Sequence, residues 1–153
     1  MKKKVYIFSL IFFIIDLISK ILVINTIKKE IVLIPNFLSF NKVSNEGAAF
    51  SILNGGRIFF ILLGVAVIIY IVKYMLKSIN NKVEILSYSL ILGGIIGNLF
   101  DRIVYGKVVD FISFKIFGYY FPIFNLADSM IVIGAILLII NLIKGDKNEI
   151  RSK

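Results

Sequence analysis

Two aspartates, Asp110 and Asp128, are the residues of this chain best suited to acid–base chemistry. The sequence contains no His and no Cys. That removes Ser-His and Cys-His nucleophiles and the usual zinc ligands, so carboxylates become the strongest candidates for proton transfer near neutral pH. Two carboxylates at hydrogen-bond distance cannot both ionise readily, so they share a proton and titrate as a unit. Such a pair can activate water for attack on a peptide carbonyl.

The elements that must position these aspartates are membrane-spanning helices. Of the 153 residues 59% are hydrophobic, which is more apolar surface than a soluble domain can bury. A span needs about 20 consecutive apolar residues. We predict one membrane-embedded domain over residues 1–153, an all-α bundle of four transmembrane helices with a small β-rich cap on the extracytoplasmic side. The four spans are predicted at residues 5–25, 58–76, 84–103 and 122–143.

The distribution of basic residues predicts the orientation of these spans. Four spans put both termini and the middle hairpin on one side, and these segments hold ten basic residues against three acidic ones. The positive-inside rule therefore places both termini in the cytoplasm and the candidate site on the outer side. The net charge of +9 has the same origin, so we expect no nucleic-acid partner.

Two segments, residues 26–57 and 104–121, are predicted to lie on the outer side. The first has two short apolar runs around a Pro35-Asn36 turn, a pattern that indicates a small sheet or hairpin. The second carries Asp110, which we place in a loop, and its aromatic residues suit the membrane interface. A loop can fold back and bring Asp110 to Asp128, although Asp110 taken alone is better explained as a solvated loop acid.

Polar side chains within the spans cluster toward the predicted outer side. Each charge at mid-membrane costs roughly 2.5–3.5 kcal/mol, so each needs a partner or a function. An ion pair between Asp16 and Lys20 inside the first helix is a sufficient structural explanation for those two, and a functional one stays open beside it. If the fourth span begins at Pro122, Asp128 lies about 9 Å below its start. The clustered residues are Asp16, Ser19 and Lys20 in the first span, Asn98, Asp101 and Arg102 in the third, and Asn125 and Asp128 in the fourth.

Several short sequence boxes, in order along the whole chain, resemble those of the lipoprotein signal peptidases (signal peptidase II). They are Asp16-Leu-Ile-Ser-Lys20, Asn45-Glu-Gly-Ala-Ala-Phe50, Gly97-Asn-Leu-Phe-Asp-Arg102 with Gly106-Lys-Val-Val-Asp-Phe111, and Phe124-Asn-Leu-Ala-Asp128.

This resemblance implies an intramembrane aspartyl endopeptidase of the bacterial cytoplasmic membrane. Such an enzyme removes the signal peptide from diacylglyceryl-modified prolipoproteins, cleaving on the amino side of the lipidated Cys. It implies Asp110 and Asp128 as the catalytic pair and no metal or organic cofactor. The implied partners are the lipid-modified prolipoprotein and membrane lipids, and we expect a monomer. The residues implied to support the pair or bind substrate are Asn45, Asn98, Arg102, Asn125, Asp16 and Lys20.

Three other functions fit the sequence less well. A small four-helix proton- or cation-coupled transporter would need polar residues continuing into the cytoplasmic half of the bundle, and that half is almost wholly apolar. A Ser-Lys protease built on Ser19 and Lys20 is disfavoured because adjacent helical residues point about 100° apart. A non-enzymatic assembly subunit would leave Asp110 without a task.

Overall fold

The computed structural model describes residues 1–47 and 55–151, and their side chains up to Lys144. Four helices in these residues are long and apolar enough to cross a membrane, as predicted. Large side chains such as Ile58 and Leu62, which are 72% and 64% exposed, give the bundle an apolar outer surface suited to lipid. The helices are α1 (Lys2–Thr26), α2 (Arg57–Lys73), α3 (Lys82–Val104) and α4 (Leu126–Arg151), with a 3₁₀ turn at Met75–Ser78.

Helix α3 is the centre of the bundle and packs against α1, α2 and α4. Glycines make its close contacts possible, in a Gly93-x-x-x-Gly97 arrangement typical of membrane helix packing. A Cβ atom at Gly93 would lie 2.7 Å from the Cβ of Phe12 on α1. A Cβ at Gly94 would collide with the carbonyl oxygen of Ala127 on α4. The backbones of α1 and α4 therefore approach α3 only because these positions carry no side chain.

The segments that connect α1 to α2 and α3 to α4 form a four-stranded antiparallel sheet. The predicted hairpin in residues 26–57 is confirmed, and Asn36 in its turn adopts a φ of 58°, a conformation that Asn tolerates. Asp110, predicted in a loop, instead lies within a strand that pairs with this hairpin. The strands, adjacent in this order, are β1 (Ile31–Ile34), β2 (Leu38–Asn45), β3 (Val108–Ile116) and β4 (Tyr119–Tyr120).

The fourth helix begins at Leu126, and the predicted start at Pro122 was wrong. Residues 121–124 run alongside β3, where the amide of Phe124 donates to the carbonyl of Ile112 at 3.1 Å. The carbonyl of Phe124 in turn accepts from the amide of Ile112 at 2.8 Å. These backbone bonds hold the segment extended, so Asp128 lies in the first turn of α4 and not 9 Å below the start of a span.

The close approach of α3 and α4 makes Gly94 sensitive to one added methyl group. We expect Gly94→Ala to lower the free energy of unfolding by about 1–3 kcal/mol, because the backbone of α4 must move to relieve the overlap. The measurement is thermal unfolding of the purified protein in detergent. Gly64→Ala is the matched control: a Cβ there meets only side-chain atoms at 3.6 Å. Equal melting temperatures for the two variants would contradict this account of the packing.

Candidate active site

The direction of the Asp110 side chain follows from the alternation of side chains along β3. The preceding and following residues, Val109 and Phe111, pack with Val23 and Ile27 at the end of α1. Successive side chains of a strand point to opposite faces, so Asp110 is turned away from this apolar cluster toward the start of α4. It is 3% exposed.

Asn45 reaches Asp110 because of the register between β2 and β3. Val43 lies opposite Asp110, and Asn45 follows two residues later on the same face. Diagonal neighbours of this kind lie within side-chain reach. The Nδ2 of Asn45 donates to Oδ2 of Asp110 at 2.8 Å, while its Oδ1 accepts from the amide of Gly47 at 2.9 Å.

Asp128 is positioned by a capping box at the start of α4. The amide of Asp128 donates to Oδ1 of Asn125 at 3.0 Å, and the amide of Asn125 donates to Oδ2 of Asp128 at 3.2 Å. This reciprocal pair satisfies backbone donors that the first helical turn leaves free. The same two side chains therefore start the helix and fix a carboxylate beside β3.

Two amide side chains connect the carboxyl groups of Asp110 and Asp128. The Nδ2 of Asn125 donates to Oδ1 of Asp110 at 2.7 Å and to Oδ1 of Asn98 at 3.1 Å. The Nδ2 of Asn98 donates to Oδ1 of Asp128 at 2.7 Å. Since an amide offers both donors and an acceptor, the chain Asp110–Asn125–Asn98–Asp128 is continuous. The structure thus brings these four predicted residues together.

Lys20 lies next to this series of hydrogen-bonded side chains, at the junction of α1, α3 and α4. Its ammonium group is 2.8 Å from Oδ2 of Asp16 and 2.9 Å from Oδ2 of Asp101, and it donates to Oδ1 of Asn98 at 3.0 Å. Oδ1 of Asp16 accepts from the amide of Ala127 at 3.0 Å. The predicted ion pair of Asp16 and Lys20 is therefore present, and it also touches the amide chain through Asn98.

Asp101 was not among the predicted site residues, although it belongs to the same network. It is 1% exposed, and its Oδ2 also accepts from the amide of Val109, next to Asp110, at 3.3 Å. Its position three residues after Asn98 in an apolar helix was the signal available in the sequence. Gly97 completes the junction, because a Cβ there would overlap the carboxylate of Asp16.

The side chains of Arg102 and Ser19 donate to backbone carbonyls. Arg102 donates to the carbonyl of Gly47 at 3.2 Å, and its guanidinium lies 4.9 Å from the ring centre of Phe60. Ser19 donates to the backbone carbonyl of Asp16 at 2.7 Å. The box that begins at Asn45 continues into residues 48–50, which lie outside the described part of the chain.

Asp110 and Asp128 line one cavity of about 270 Å³. Burial raises the pKa of Asp110 to about 6, with the negative charge of Asp128 adding to the effect and the hydrogen bond from Asn45 opposing it. A perturbed carboxyl in a cleft is a feature of functional sites. In the described residues, no group of three or more acidic side chains is placed to hold a metal ion. The other lining residues are Asn45, Gly47, Asn98, Arg102, Val108, Pro122, Ile123 and Phe124.

The fold and the site define a helical multi-pass membrane protein with a carboxylate-lined cavity at one end of its bundle. Residues 8–144 match the signal peptidase (SPase) II family. Lipoprotein signal peptidases of Staphylococcus aureus strains JH9 and Newman are each 41% identical over 137 residues, covering 88% of this chain and 84% of theirs. The chain therefore belongs to the signal peptidase II family, whose members are membrane proteases.

Two solved structures, both described as bacterial membrane enzymes studied by the in meso method, share the fold. The one at 2.3 Å resolution has a TM-score of 0.86 at 38% identity, covering 94% of this chain and 90% of its own. The one at 1.9 Å resolution has a TM-score of 0.81 at 38% identity, covering 92% of each chain.

The burial of Lys20 between two aspartates makes its charge essential for stability. We expect Lys20→Met to destabilise the protein by about 3–5 kcal/mol, because it leaves two buried carboxylates without their cation. Thermal unfolding in detergent measures this. Ser19→Ala, one residue away, removes only a hydroxyl bonded to its own helix and is expected to change stability by less than about 1 kcal/mol. A Lys20→Met protein as stable as the Ser19→Ala control would show that the ion pairs contribute nothing.

Proposed function

We propose that this chain is an aspartic endopeptidase that removes signal peptides from bacterial prolipoproteins, cleaving on the amino side of a Cys that carries diacylglycerol. Membership of the signal peptidase II family supports the reaction. The observation that carries the assignment of the site is the position of Asp110 and Asp128. Both line one cavity, and the amides of Asn98 and Asn125 connect them.

The proposed reaction begins with one proton on the pair and a water between the pair and the scissile carbonyl. The ionised carboxylate takes a proton from the water as its oxygen attacks the carbonyl carbon. The protonated carboxyl meanwhile donates a hydrogen bond to the carbonyl oxygen, which stabilises the tetrahedral intermediate. Collapse of that intermediate breaks the C–N bond. The amine of the lipidated Cys leaves with a proton from the pair, and the signal peptide leaves as a carboxylate.

Asp110 is the proposed site of the proton that the pair carries when the reaction begins. It is the carboxyl whose pKa burial raises to about 6, and it lies on a strand with an apolar cluster behind it. Displacement of cavity water by an apolar substrate would desolvate this carboxylate further and raise its pKa again. Substrate binding would thus itself recruit the proton that the reaction needs.

The supporting residues have distinct proposed tasks. Asn45, Asn98 and Asn125 donate to the carboxylates and fix their orientation. Arg102 donates to the carbonyl of Gly47 and so positions Gly47 in the wall of the cavity. Lys20 sets the orientation of Asn98 by binding its Oδ1, which leaves Nδ2 directed at Asp128.

We also propose that the sheet and the cavity lie on the extracytoplasmic side of the bacterial membrane, with both termini in the cytoplasm. The excess of basic residues at the opposite end of the bundle supports this orientation. A substrate anchored in the bilayer would then reach the cavity sideways from the lipid, past the apolar residues Ile123 and Phe124. A monomer suffices, because one chain supplies both carboxylates.

The proposed pair predicts the loss of cleavage in two single variants. We expect Asp110→Asn and Asp128→Asn each to lower the rate at least about 10³-fold, because the one remaining carboxyl cannot both activate the water and donate a proton. Cleavage of a diacylated prolipoprotein peptide by purified protein is the measurement. Glu30→Gln, an equivalent change at an exposed acid outside the cavity, is the control and should cleave normally. Full activity in either Asn variant with a normal melting temperature would exclude the pair.

The raised pKa of Asp110 predicts the pH dependence of cleavage. A carboxyl with a pKa of about 6 is protonated below that pH and ionised above it. We therefore expect kcat/KM, which reports the free enzyme, to fall as pH rises through about 6. The fall in kcat, which reports the substrate complex, should occur at higher pH because of desolvation. Asn45→Ala should move the fall in kcat/KM to higher pH, because the hydrogen bond that it removes lowers the pKa of Asp110. If kcat/KM fell at the same pH in Asn45→Ala and in the unmodified chain, the proposed link between Asn45 and the pKa of Asp110 would be contradicted.

A further inference from the structure

A second cavity, of about 330 Å³, lies between the first turns of α1 and α3. Each helix contributes a Lys followed three and four residues later by two apolar side chains, so the three residues share one helical face. The cavity residues are Lys4, Ile7 and Phe8 on α1 and Lys82, Ile85 and Leu86 on α3.

We propose that this cavity binds one anionic phospholipid, with the phosphate between Lys4 and Lys82 and an acyl chain along the apolar wall. The charges and the apolar surface occur in the order in which a lipid presents them: the lysines are at the helix ends, and the apolar residues lie one turn deeper. Ile7, Phe8 and Leu86 are 58%, 41% and 43% exposed, and a soluble anion has no apolar part that would cover them. A zwitterionic lipid would lack the net charge that two lysines favour.

The surroundings of the two lysines support this occupant. In residues 1–47 and 55–144, neither Lys4 nor Lys82 has an ion pair with an acidic side chain. The nearest acid along α3, Glu84, is engaged elsewhere, because it accepts from Asn81 and from Asn141 on α4 at 3.1 Å. No described carboxylate therefore neutralises the lysines, and a lipid phosphate can do so.

This cavity is separate from the candidate active site. Lys82 and Asn98 are sixteen residues apart on one helix, which corresponds to about 24 Å. The bound lipid would therefore occupy the opposite leaflet from Asp110 and Asp128. Its task would be to join the ends of α1 and α3, the two helices that carry Lys20 and its partner Asp101.

Native mass spectrometry of the full chain in detergent tests the proposal, with phosphatidylglycerol, phosphatidylcholine of the same acyl chains, and soluble glycerol phosphate as probes. We expect one phosphatidylglycerol to bind much more tightly than the other two. Each lysine near an anionic headgroup contributes about fivefold to affinity, so Lys4→Gln/Lys82→Gln should weaken that binding about 25-fold. Lys4→Arg/Lys82→Arg should retain it.

Lys2→Gln/Lys3→Gln is the matched control, because it removes two charges from the same end of α1 outside the cavity. If this control weakens binding as much as the cavity variant does, a diffuse positive field and not a site holds the lipid. Equal binding of phosphatidylcholine, or full competition by glycerol phosphate, would also overturn the proposal. Because Lys4 and Lys82 are exposed, we expect their substitution to leave the fold intact, and the melting temperature of each variant in lipid-free detergent tests this expectation. None of these results depends on the peptidase assignment, which cleavage assays test separately.

Discussion

The ammonium group of Lys20 must be neutralised where it lies, because it is 2% exposed inside a bundle whose outer surface is apolar. Two carboxylates do this, one from its own helix and one from α3. An unpaired charge in this position would cost several kcal/mol, so the three groups can only be buried together. Asp16 also accepts from the backbone of α4. One cation thus fixes the relative positions of three helices at one end of the bundle.

The candidate active site is built on top of this junction from side chains that have structural tasks of their own. Asn98 binds Lys20 with its oxygen and Asp128 with its nitrogen. Asn125 caps α4 and also contacts Asp110. Because each amide has one orientation that satisfies both neighbours, the positions of the carboxyl groups follow from the packing below them. The sheet fixes the position of Asp110, because the neighbouring residues of its strand are buried on the opposite face.

The sequence alone was sufficient for the four spans, because long apolar runs in a chain of mean hydropathy +0.95 have few other interpretations. It failed at the start of α4, since Pro122, Ile123 and Phe124 are as apolar as a span and hydropathy does not separate strand-like backbone from helix. The capping box of Asn125 and Asp128 was the better local signal for that boundary. The pairing of β2 with β3 joins residues more than sixty positions apart, and no local pattern determines such a register.

The polar residues that cluster around the cavity were easier to predict than the strand register and the start of α4, and the reason is energetic. A polar side chain in an apolar helix is expensive, so its presence indicates a partner even when the partner is unknown. Asp101 shows the limit of that reasoning: its type and spacing placed it with Asn98, but only the fold revealed that it accepts from both Lys20 and the strand of Asp110. The two candidate catalytic carboxylates also differ in what surrounds them. Asp128 sits at a helix start, where it accepts from the amide of Asn125, whereas Asp110 lies on a strand whose neighbouring residues belong to an apolar cluster. Burial on that strand raises the pKa of the Asp110 carboxyl, so the same packing that positions this group also favours its protonated form.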